Sequence, residues 1–404
     1  MTLTAAILDP YVRDWLDLLL RWLHVIAAMS WIGASFYFVL LDQSLRAPKD
    51  PEDIEGGVKG ELWEVHGGGF YHVQKYQVTP NEMPEHLAWF KWEAYTTWLS
   101  GFALMITLYW LNARAYMIDP SVADIGPWTA VGISAGLVIV AWVVYDVACR
   151  LLIGRDRLLA IAVAVGVVLA AWSTAQLFSP RAAWLQTGAM LGTVMAANVF
   201  FNIIPAHWEL IRAKQQSREP DPAPGIEAKR RSVHNNYLTL PVLVTMLAGH
   251  FSFLTGHDYA WALLLFLMAL GAWIRLFFNR RHTGSTNWWM LVAAALAVLS
   301  LALALRPASG GPSLTPSEAI GDETSQGEQL FAEASCGSCH TLAAAGTDGK
   351  VGPNLDQAQP GAQLVIERVT NGSGGMPPFS GRLSKAEIEA IADFVSSATA
   401  ADAR

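Results

Sequence analysis

Residues 14–40 read DWLDLLLRWLHVIAAMSWIGASFYFVL, an almost continuous apolar run. About 20 helical residues of this kind cross a hydrocarbon core about 30 Å thick, so the run is long enough to span a membrane. It is too long for the apolar core of a signal peptide, and no small-residue cleavage pattern follows it. We therefore expect this run to remain in the protein as a transmembrane helix.

Similar apolar runs follow at residues 86–111, 126–148, 157–178, 182–211, 233–255, 258–279 and 287–305. The composition, with 53% apolar and 15% charged residues, is typical of a membrane protein and excludes an ordinary soluble protein of this length. The sequence therefore predicts an all-α fold, with a polytopic membrane helix bundle of about eight transmembrane helices over residues 1–305.

The remaining residues differ in composition. Residues 306–320, RPASGGPSLTPSEAI, are rich in Pro, Gly and Ser and have no helical periodicity, which is typical of a linker. We expect residues 321–404 to form a small, separate all-α domain. This domain has 11 acidic and 5 basic residues, and it contributes most of the net charge of −7. Nothing in this charge distribution indicates nucleic acid as a partner.

Lysines and arginines beside membrane helices are retained on the cytoplasmic side. The alternate loops at 41–85, 149–157, 212–232 and 279–287 contain 15 of them, whereas the opposite set contains 4, namely Arg13, Arg114, Arg181 and Arg306. An even number of crossings then places both termini outside. The sequence predicts a multi-pass protein of the bacterial inner membrane, surrounded by the lipid bilayer, with its C-terminal domain in the periplasm.

The stretch Cys336-Gly337-Ser338-Cys339-His340 is the C-x-x-C-H pattern for covalent attachment of haem c, with His340 as an axial ligand of the iron. Two residues between the thiols let one helical turn reach both vinyl groups. A zinc site is the alternative, but it needs four ligands, and the tail has no third Cys and no second His. We therefore predict one covalent haem c.

The second axial ligand should come from later in the same domain. Met376 is the only Met of the tail and lies in GGMPPF, where glycines permit close backbone approach and prolines stiffen the loop. A Met ligand raises the reduction potential of the haem. Lys350 is the alternative ligand.

Capping boxes are predicted to open two helices of the tail, at Ser325 with Glu328 and at Ser384 with Glu387. Together with the haem motif, these helices resemble the class I cytochrome c family over residues 321–397. The resemblance implies that the carbonyl group of Pro353 accepts a hydrogen bond from His340.

Ionisable side chains are costly inside a membrane and suggest function unless they lie near a helix end. Arg21 and His24 share one face of the first span, and His250 lies at comparable depth in the sixth. Two imidazoles on different helices can hold haem b through its iron, with Arg21 paired to a propionate. Alternatively, both histidines form hydrogen bonds between helices and Arg21 extends outward. Three charged residues near span ends are interpreted first as anchors or loop salt bridges: Asp146, Glu209 and Arg275.

The predicted cytoplasmic side is rich in other polar groups. From Trp63 onward, the loop at 41–85 mixes aromatic residues with donors and acceptors, as pockets for small polar rings do. Gly67-Gly68-Gly69 would let a backbone approach a flat ligand, whereas a flexible solvated loop is the alternative. The sequence does not identify a catalytic residue, and the candidates on this side are Glu64, His66, His72, Lys75, Glu93, His207 and Asn235.

The order of several segments resembles the bacterial membrane-bound urate oxidase family over nearly the entire chain: RWLHVIAAMSWIGASFYF, HGGGFYHVQKY, KWEAYTTWLSG, VHNNYLTLPV and then a tethered cytochrome. The resemblance implies an enzyme that oxidises urate to 5-hydroxyisourate with water. It also implies that the electrons pass to the cytochrome, and onward to a respiratory acceptor, instead of to oxygen.

Oxidation on the cytoplasmic side would require electrons to cross a core about 30 Å thick, which favours a haem b relay at His24 and His250. A periplasmic active site would remove that requirement. Two other functions stay open: oxidation of a quinol or another small metabolite, and passive electron carriage by a cytochrome whose membrane part is only an anchor. An anchor needs a single helix and does not require buried ionisable residues, so the anchor function accounts for fewer features of the sequence.

Overall fold

The chain folds into a large helical unit followed by a small helical unit, as the sequence predicts. The computed structural model describes residues 10–76, 78–119, 122–247, 251–255, 257, 259–306, 323–349, 352–372, 376, 379–380 and 383–401. The predicted linker therefore lies, from residue 307 on, outside the described residues.

The large unit is a bundle of helices whose apolar residues cover most of their surface. Its helices are α1 (Pro10–Ser44), α2 (Pro51–Glu55), α3 (Trp92–Leu104), α4 (Ala113–Tyr116), α5 (Pro127–Leu151), α6 (Asp156–Ala175), α7 (Pro180–Asn198), α8 (Ile204–Gln215), α9 (Ala223–Leu247), α10 (Ser252–Thr255), α11 (Ala260–His282) and α12 (Trp289–Ala304). Short π-helical segments, Met105–Trp110 and Val199–Ile203, follow α3 and join α7 to α8. Pro127 and Pro180 open α5 and α7, where a missing N–H is tolerated.

Five stretches of the described residues are long and apolar enough to cross a membrane: Trp15–Ser44, Pro127–Leu151, Asp156–Ala175, Pro180–Gln215 and Ala260–His282. They match the first, third, fourth, fifth and seventh predicted spans. The other three coincide with helices that are shorter, more polar or interrupted, namely α3, α9 and α12. The total of eight therefore stays a prediction.

Helix α9 packs between α7 and α11, while α1 packs along α3. The approach of α7 to α9 is close, because a Cβ atom added at Gly188 would lie 1.9 Å from Oγ1 of Thr245. Small residues at helix contacts are typical of membrane bundles. The apolar core beside this contact contains Trp184, Leu264 and Met268.

The predicted loop at 41–85 contains regular structure. Strands β1 (Val58–His66) and β2 (Gly69–Tyr76) form an antiparallel hairpin in which His66 lies opposite Gly69. Gly67 and Gly68 have φ angles of 60° and 83°, which two-residue hairpin turns require and glycine adopts readily. Such a turn by itself accounts for Gly67 and Gly68, and a Cβ added at either would meet nothing within 4 Å. The approach of a flat ligand to these glycines stays a prediction.

The small unit contains α13 (Glu323–Glu333), β3 (Thr341–Leu342), β4 (Thr347–Asp348), α14 (Leu355–Ala358), α15 (Ala362–Asn371) and α16 (Lys385–Ala401). Helices α13 and α15 pack on α16 around Phe331, Val369 and Ile391. The capping box at α16 is confirmed, since the Ser384 N–H donates to Glu387 Oε2 at 2.6 Å. The box at Ser325 is wrong, because α13 begins earlier, at Glu323.

Candidate functional site

The C-x-x-C-H motif folds as a tight turn. A 3₁₀ segment spans Cys336–Ser338, and the N–H groups of Cys339 and His340 both donate to the carbonyl of Cys336, at 3.1 and 3.0 Å. This turn sets the spacing between the two thiols. Burial raises the pKa of the Cys336 thiol to about 11, so the free thiol is protonated and inert at neutral pH.

His340 is held by the chain segment that follows the motif. Its Nδ1–H donates to the carbonyl of Pro353 at 2.8 Å, which leaves Nε2 without a proton. Burial lowers the pKa of His340, and this also favours the neutral imidazole that binds iron. A Cβ at Gly352 would lie 2.4 Å from Cε1 of His340, so only glycine allows this approach. The residues present therefore fit an axial ligand of haem c.

Met376 is half-buried and packs on the apolar core of the small unit, as does Cys336. The thioether and the haem motif thus border one apolar core, which suits a low-dielectric haem site. The alternative ligand, Lys350, lies outside the described residues.

A cavity of about 630 Å³ lies inside the large unit, between α1, α3, α5, α7 and α9. This size is within the range of about 300–1,000 Å³ found for ligand sites. Most of its lining is apolar, and its acidic and basic lining residues are Asp17, Arg21, His24 and Arg181.

His24 is fixed at the cavity wall by α3. Its Nδ1 lies 3.0 Å from the carbonyl oxygen of Thr97 and 3.1 Å from Oγ of Ser100. A Cβ added at Gly101 would lie 2.8 Å from Cε1 of His24, so glycine provides the space that the imidazole fills. A histidine bonded through Nδ1 to a carbonyl has Nε2 available for a metal.

Two arginines line the cavity, Arg21 about three turns into α1 and Arg181 in the first turn of α7. Arg21 pairs with Asp17 at 2.5 Å, whereas the buried Nε of Arg181 has no hydrogen-bond partner among the described residues. An anionic group on a ligand would give the buried Nε of Arg181 a partner. His250, the second predicted imidazole ligand, lies outside the described residues.

Four of the candidate catalytic residues lie on the hairpin, where they pair with neighbouring side chains. Glu64 accepts from Tyr37, Lys75 pairs with Asp42, and His72 contacts Glu61 at 2.9 Å. Burial, followed by the charge of Lys229, lowers the pKa of Lys75 to about 8. The fourth, His66, is exposed beside the turn.

The other three candidates lie on separate helices of the bundle. Glu93 opens α3 and has a buried Oε2 without a partner among the described residues, and His207 lies in α8 beside Trp89. Asn235 is fully bonded, because its Nδ2 donates to Met195 O at 2.9 Å and its Oδ1 accepts from Asn198. The structure thus does not gather the seven candidates around one cavity.

Asn235 belongs to a closed polar network near the predicted inner helix ends. Arg231, only 1% exposed, donates to Glu227, Asp146 and Asn198 at 2.8 to 3.1 Å. Each donor reaches an acceptor, and the charge has two carboxylate partners. This network has a structural role.

Sequence reasoning missed two residues. Arg181 was counted only as a loop charge, although it lines the cavity. Arg275 is predicted to anchor a helix end or to form a loop salt bridge, but it is 4% exposed and inside the bundle, so that interpretation is wrong. The signal for Arg275 was available, since it precedes the end of its helix at His282 by about two turns.

Comparison with known proteins accounts for most of the chain. The family described as "Urate oxidase N-terminal" matches residues 10–306, and the family described as "Cytochrome C oxidase, cbb3-type, subunit III" matches residues 322–395.

Individual relatives cover the C-terminal part. Cytochrome c6 of Nostoc sp. is 36% identical over 92 residues, which are 20% of this chain and 74% of that protein. Cytochrome c6 of Picosynechococcus sp. is 33% identical over 26% of this chain and 90% of that protein. A solved structure, the c-type cytochrome SorU from Sinorhizobium meliloti, is 44% identical and covers 19% of this chain and 92% of its own, with a TM-score of 0.19. The cytochrome relatives imply a covalently bound haem c. The chain belongs to the urate oxidase N-terminal family and joins that family's domain to a cytochrome c domain that transfers electrons.

Proposed function

We propose that this protein oxidises urate to 5-hydroxyisourate and passes the electrons to the haem c of its own C-terminal domain. The observation that carries this proposal is the urate oxidase match over residues 10–306 in one chain with a cytochrome c. The reaction balances as urate plus water giving 5-hydroxyisourate, two protons and two electrons. Since an electron carrier is part of the chain, oxygen is not needed as the direct acceptor.

We assign the haem c ligands to the residues of the small unit. Cys336 and Cys339 form the thioether bonds, and His340, oriented by Pro353, and Met376 bind the iron. The fixed tautomer of His340 and the close approach of Gly352 support this assignment. The proposed domain bounds are 1–305, 306–320 and 321–404.

We also assign the cavity to a haem b, held by His24. The carbonyl-bonded imidazole suits an iron ligand, and Arg21 and Arg181 suit propionates. When bound, haem iron accepts one electron at a time. The two electrons from one urate therefore require two haem groups, or two successive reductions of the same haem. His24, with His250 as the proposed second ligand, would then place an intermediate carrier between substrate and haem c.

The proposed location is the bacterial inner membrane, with the cytochrome domain in the periplasm and a respiratory acceptor downstream. Contact between α14 and α4 supports this arrangement, because α4 lies in a loop of the Arg-poor, outer set. The cavity lining includes residues near the outer ends of α1 and α7, so a carrier there would lie in the outer half of the bundle.

Oxidation of a quinol is the second candidate. The mainly apolar lining of the cavity favours it, because an isoprenoid quinol is apolar, whereas urate is polar and anionic.

The decisive experiment is anaerobic addition of urate to the purified, oxidised protein, with absorbance of the c-type haem as the readout. We expect two equivalents of reduced haem for each urate consumed, and 5-hydroxyisourate as the product. Reduction by quinol but not by urate would replace the proposed substrate. If neither urate nor quinol reduces the c-type haem, the activity proposed for the membrane domain is wrong.

A further inference from the structure

A second buried arginine, distinct from the closed network of Arg231, lies where α1, α9 and α11 meet. Arg275 Nε donates to Asn236 Oδ1 at 2.8 Å, and Asn279 Nδ2 donates to the same oxygen at 3.0 Å. The guanidinium of Arg275 lies 3.9 Å from the ring centroid of Phe36. The arginine and both asparagines are at most 4% exposed.

The Arg275 cluster differs from the Arg231 network in its partners. Among the described residues, no carboxylate pairs with Arg275. Three buried atoms have no hydrogen-bond partner in the described part of the chain: Nη2 of Arg275, Nδ2 of Asn236 and Oδ1 of Asn279. A buried cation without an anion is costly, and each unpaired buried polar atom adds to that cost. The cluster therefore offers two donors, one acceptor and a positive charge to a polar, anionic ligand.

The position of the cluster links it to the cavity. Thr239 lines the cavity and donates through Oγ1 to the carbonyl of Asn236, one turn earlier on α9. Three helical residues rise about 4.5 Å, so the cluster lies just beyond the inner end of the cavity. Arg275 also lies about 10 Å along α11 from His282 at the predicted cytoplasmic end.

We propose that Arg275, Asn236 and Asn279 form the binding site for the planar, anionic substrate of this protein, a urate-like ring. The inference rests on the proposed function. Arg275 and Asn236 donate to the carbonyl oxygens and the negative charge of the ring, while Asn279 accepts from a ring N–H. Because the cluster is closed in this structure, the ring enters by displacing neighbouring side chains. A ring bound there lies beside the cavity, which shortens electron transfer to a carrier held by His24.

The test measures binding separately from turnover. Holoprotein fully reduced with dithionite cannot accept electrons from urate, so equilibrium binding of radiolabelled urate reports affinity alone. We expect Arg275→Gln to weaken binding about 10- to 100-fold, the effect of losing a charge-assisted hydrogen bond. Arg281→Gln is the matched control, because Arg281 is an exposed arginine of the same helix.

A second variant covers the case in which Arg275→Gln fails to fold. Asn279→Asp keeps the shape of the side chain and adds a carboxylate one helical turn from Arg275, but it removes the hydrogen bond from Asn279 Nδ2 to Asn236 Oδ1, so thermal stability should stay near that of the wild type. The same carboxylate repels an anionic ring, so urate binding should fall by at least tenfold. Unchanged urate affinity in both variants would overturn this inference and leave the proposed function standing. Absence of binding to the wild type, together with absence of urate-driven reduction, would overturn the proposed function itself.

Discussion

The hydroxyl of Tyr37 donates to Oε2 of Glu64 at 2.6 Å, so the hairpin runs back along α1 instead of extending away from it. Two further contacts follow the same path, the pair of Lys75 with Asp42 and the bridge of Arg46 with Glu61. Tyr37 lies about 10 Å before the end of α1 at Ser44. The turn of the hairpin therefore lies near the inner end of the predicted span 14–40.

The first prediction is that the hairpin tip lies in the lipid interface. Val65 and Phe70 are opposite each other and are 72% and 77% exposed, which suits lipid contact. A nitroxide on Phe70→Cys in liposomes should be accessible to oxygen and protected from a water-soluble nickel reagent. The same label on Lys59→Cys, at the exposed base of β1, should show the opposite pattern. Equal access of both labels to the nickel reagent would place the tip in water.

The second prediction concerns haem b. His24→Ala removes the proposed iron ligand, so the pyridine haemochrome spectrum should retain haem c and lose any non-covalent haem. Urate should then no longer reduce the cytochrome, whereas dithionite still should. His257→Ala is the control, because His257 does not line the cavity. A wild-type preparation with covalent haem alone and full urate-driven reduction would eliminate the relay.

The third prediction concerns Met376. Met376→Ala should abolish the weak sulfur-to-iron band at the red end of the spectrum and lower the reduction potential, because a thioether ligand stabilises reduced iron. Ala substitution should leave the covalent attachment at Cys336 and Cys339 intact. An unchanged band would assign the sixth ligand to another residue.

The fourth prediction is a pH dependence in the small unit. Hydrogen bonds from Ser384 lower the pKa of Glu387 below its usual value. A carboxyl group of this kind contributes stability above its unfolded pKa, about 4.3, and the contribution is lost as pH falls through the lower, folded pKa. Acid unfolding followed by haem c absorbance should therefore be less steep in Glu387→Gln, which keeps the cap without the titration. Ser384→Ala should cost about 1 kcal/mol at neutral pH.

The fifth prediction concerns orientation. In intact cells a membrane-impermeant maleimide should label Lys385→Cys in the tail and should not label Gln216→Cys in the loop at 212–232. Both positions are exposed, and the native Cys149 is buried, so access depends on the side of the membrane. Labelling of Gln216→Cys alone would show that the topology is inverted.

The sequence by itself determined the features that depend on local order along the chain. Apolar runs predict helices because a helix bonds its own backbone, and the C-x-x-C-H spacing fits one turn. Ser384 and Glu387 form the predicted cap because the two residues lie at the first turn of α16. His24 was singled out because an imidazole in an apolar run is costly.

Only the tertiary structure decided which buried polar side chains have hydrogen-bond partners. Asn235 and Asn236 are adjacent and equally polar in sequence, yet Met195 and Asn198 bond both amide atoms of Asn235. Asn236 instead faces Arg275, and its Nδ2 has no partner within the described part of the chain. Neighbouring residues of a helix point about 100° apart, so they meet different helices. Which helices those are depends on long-range packing, and local residue patterns do not contain that information.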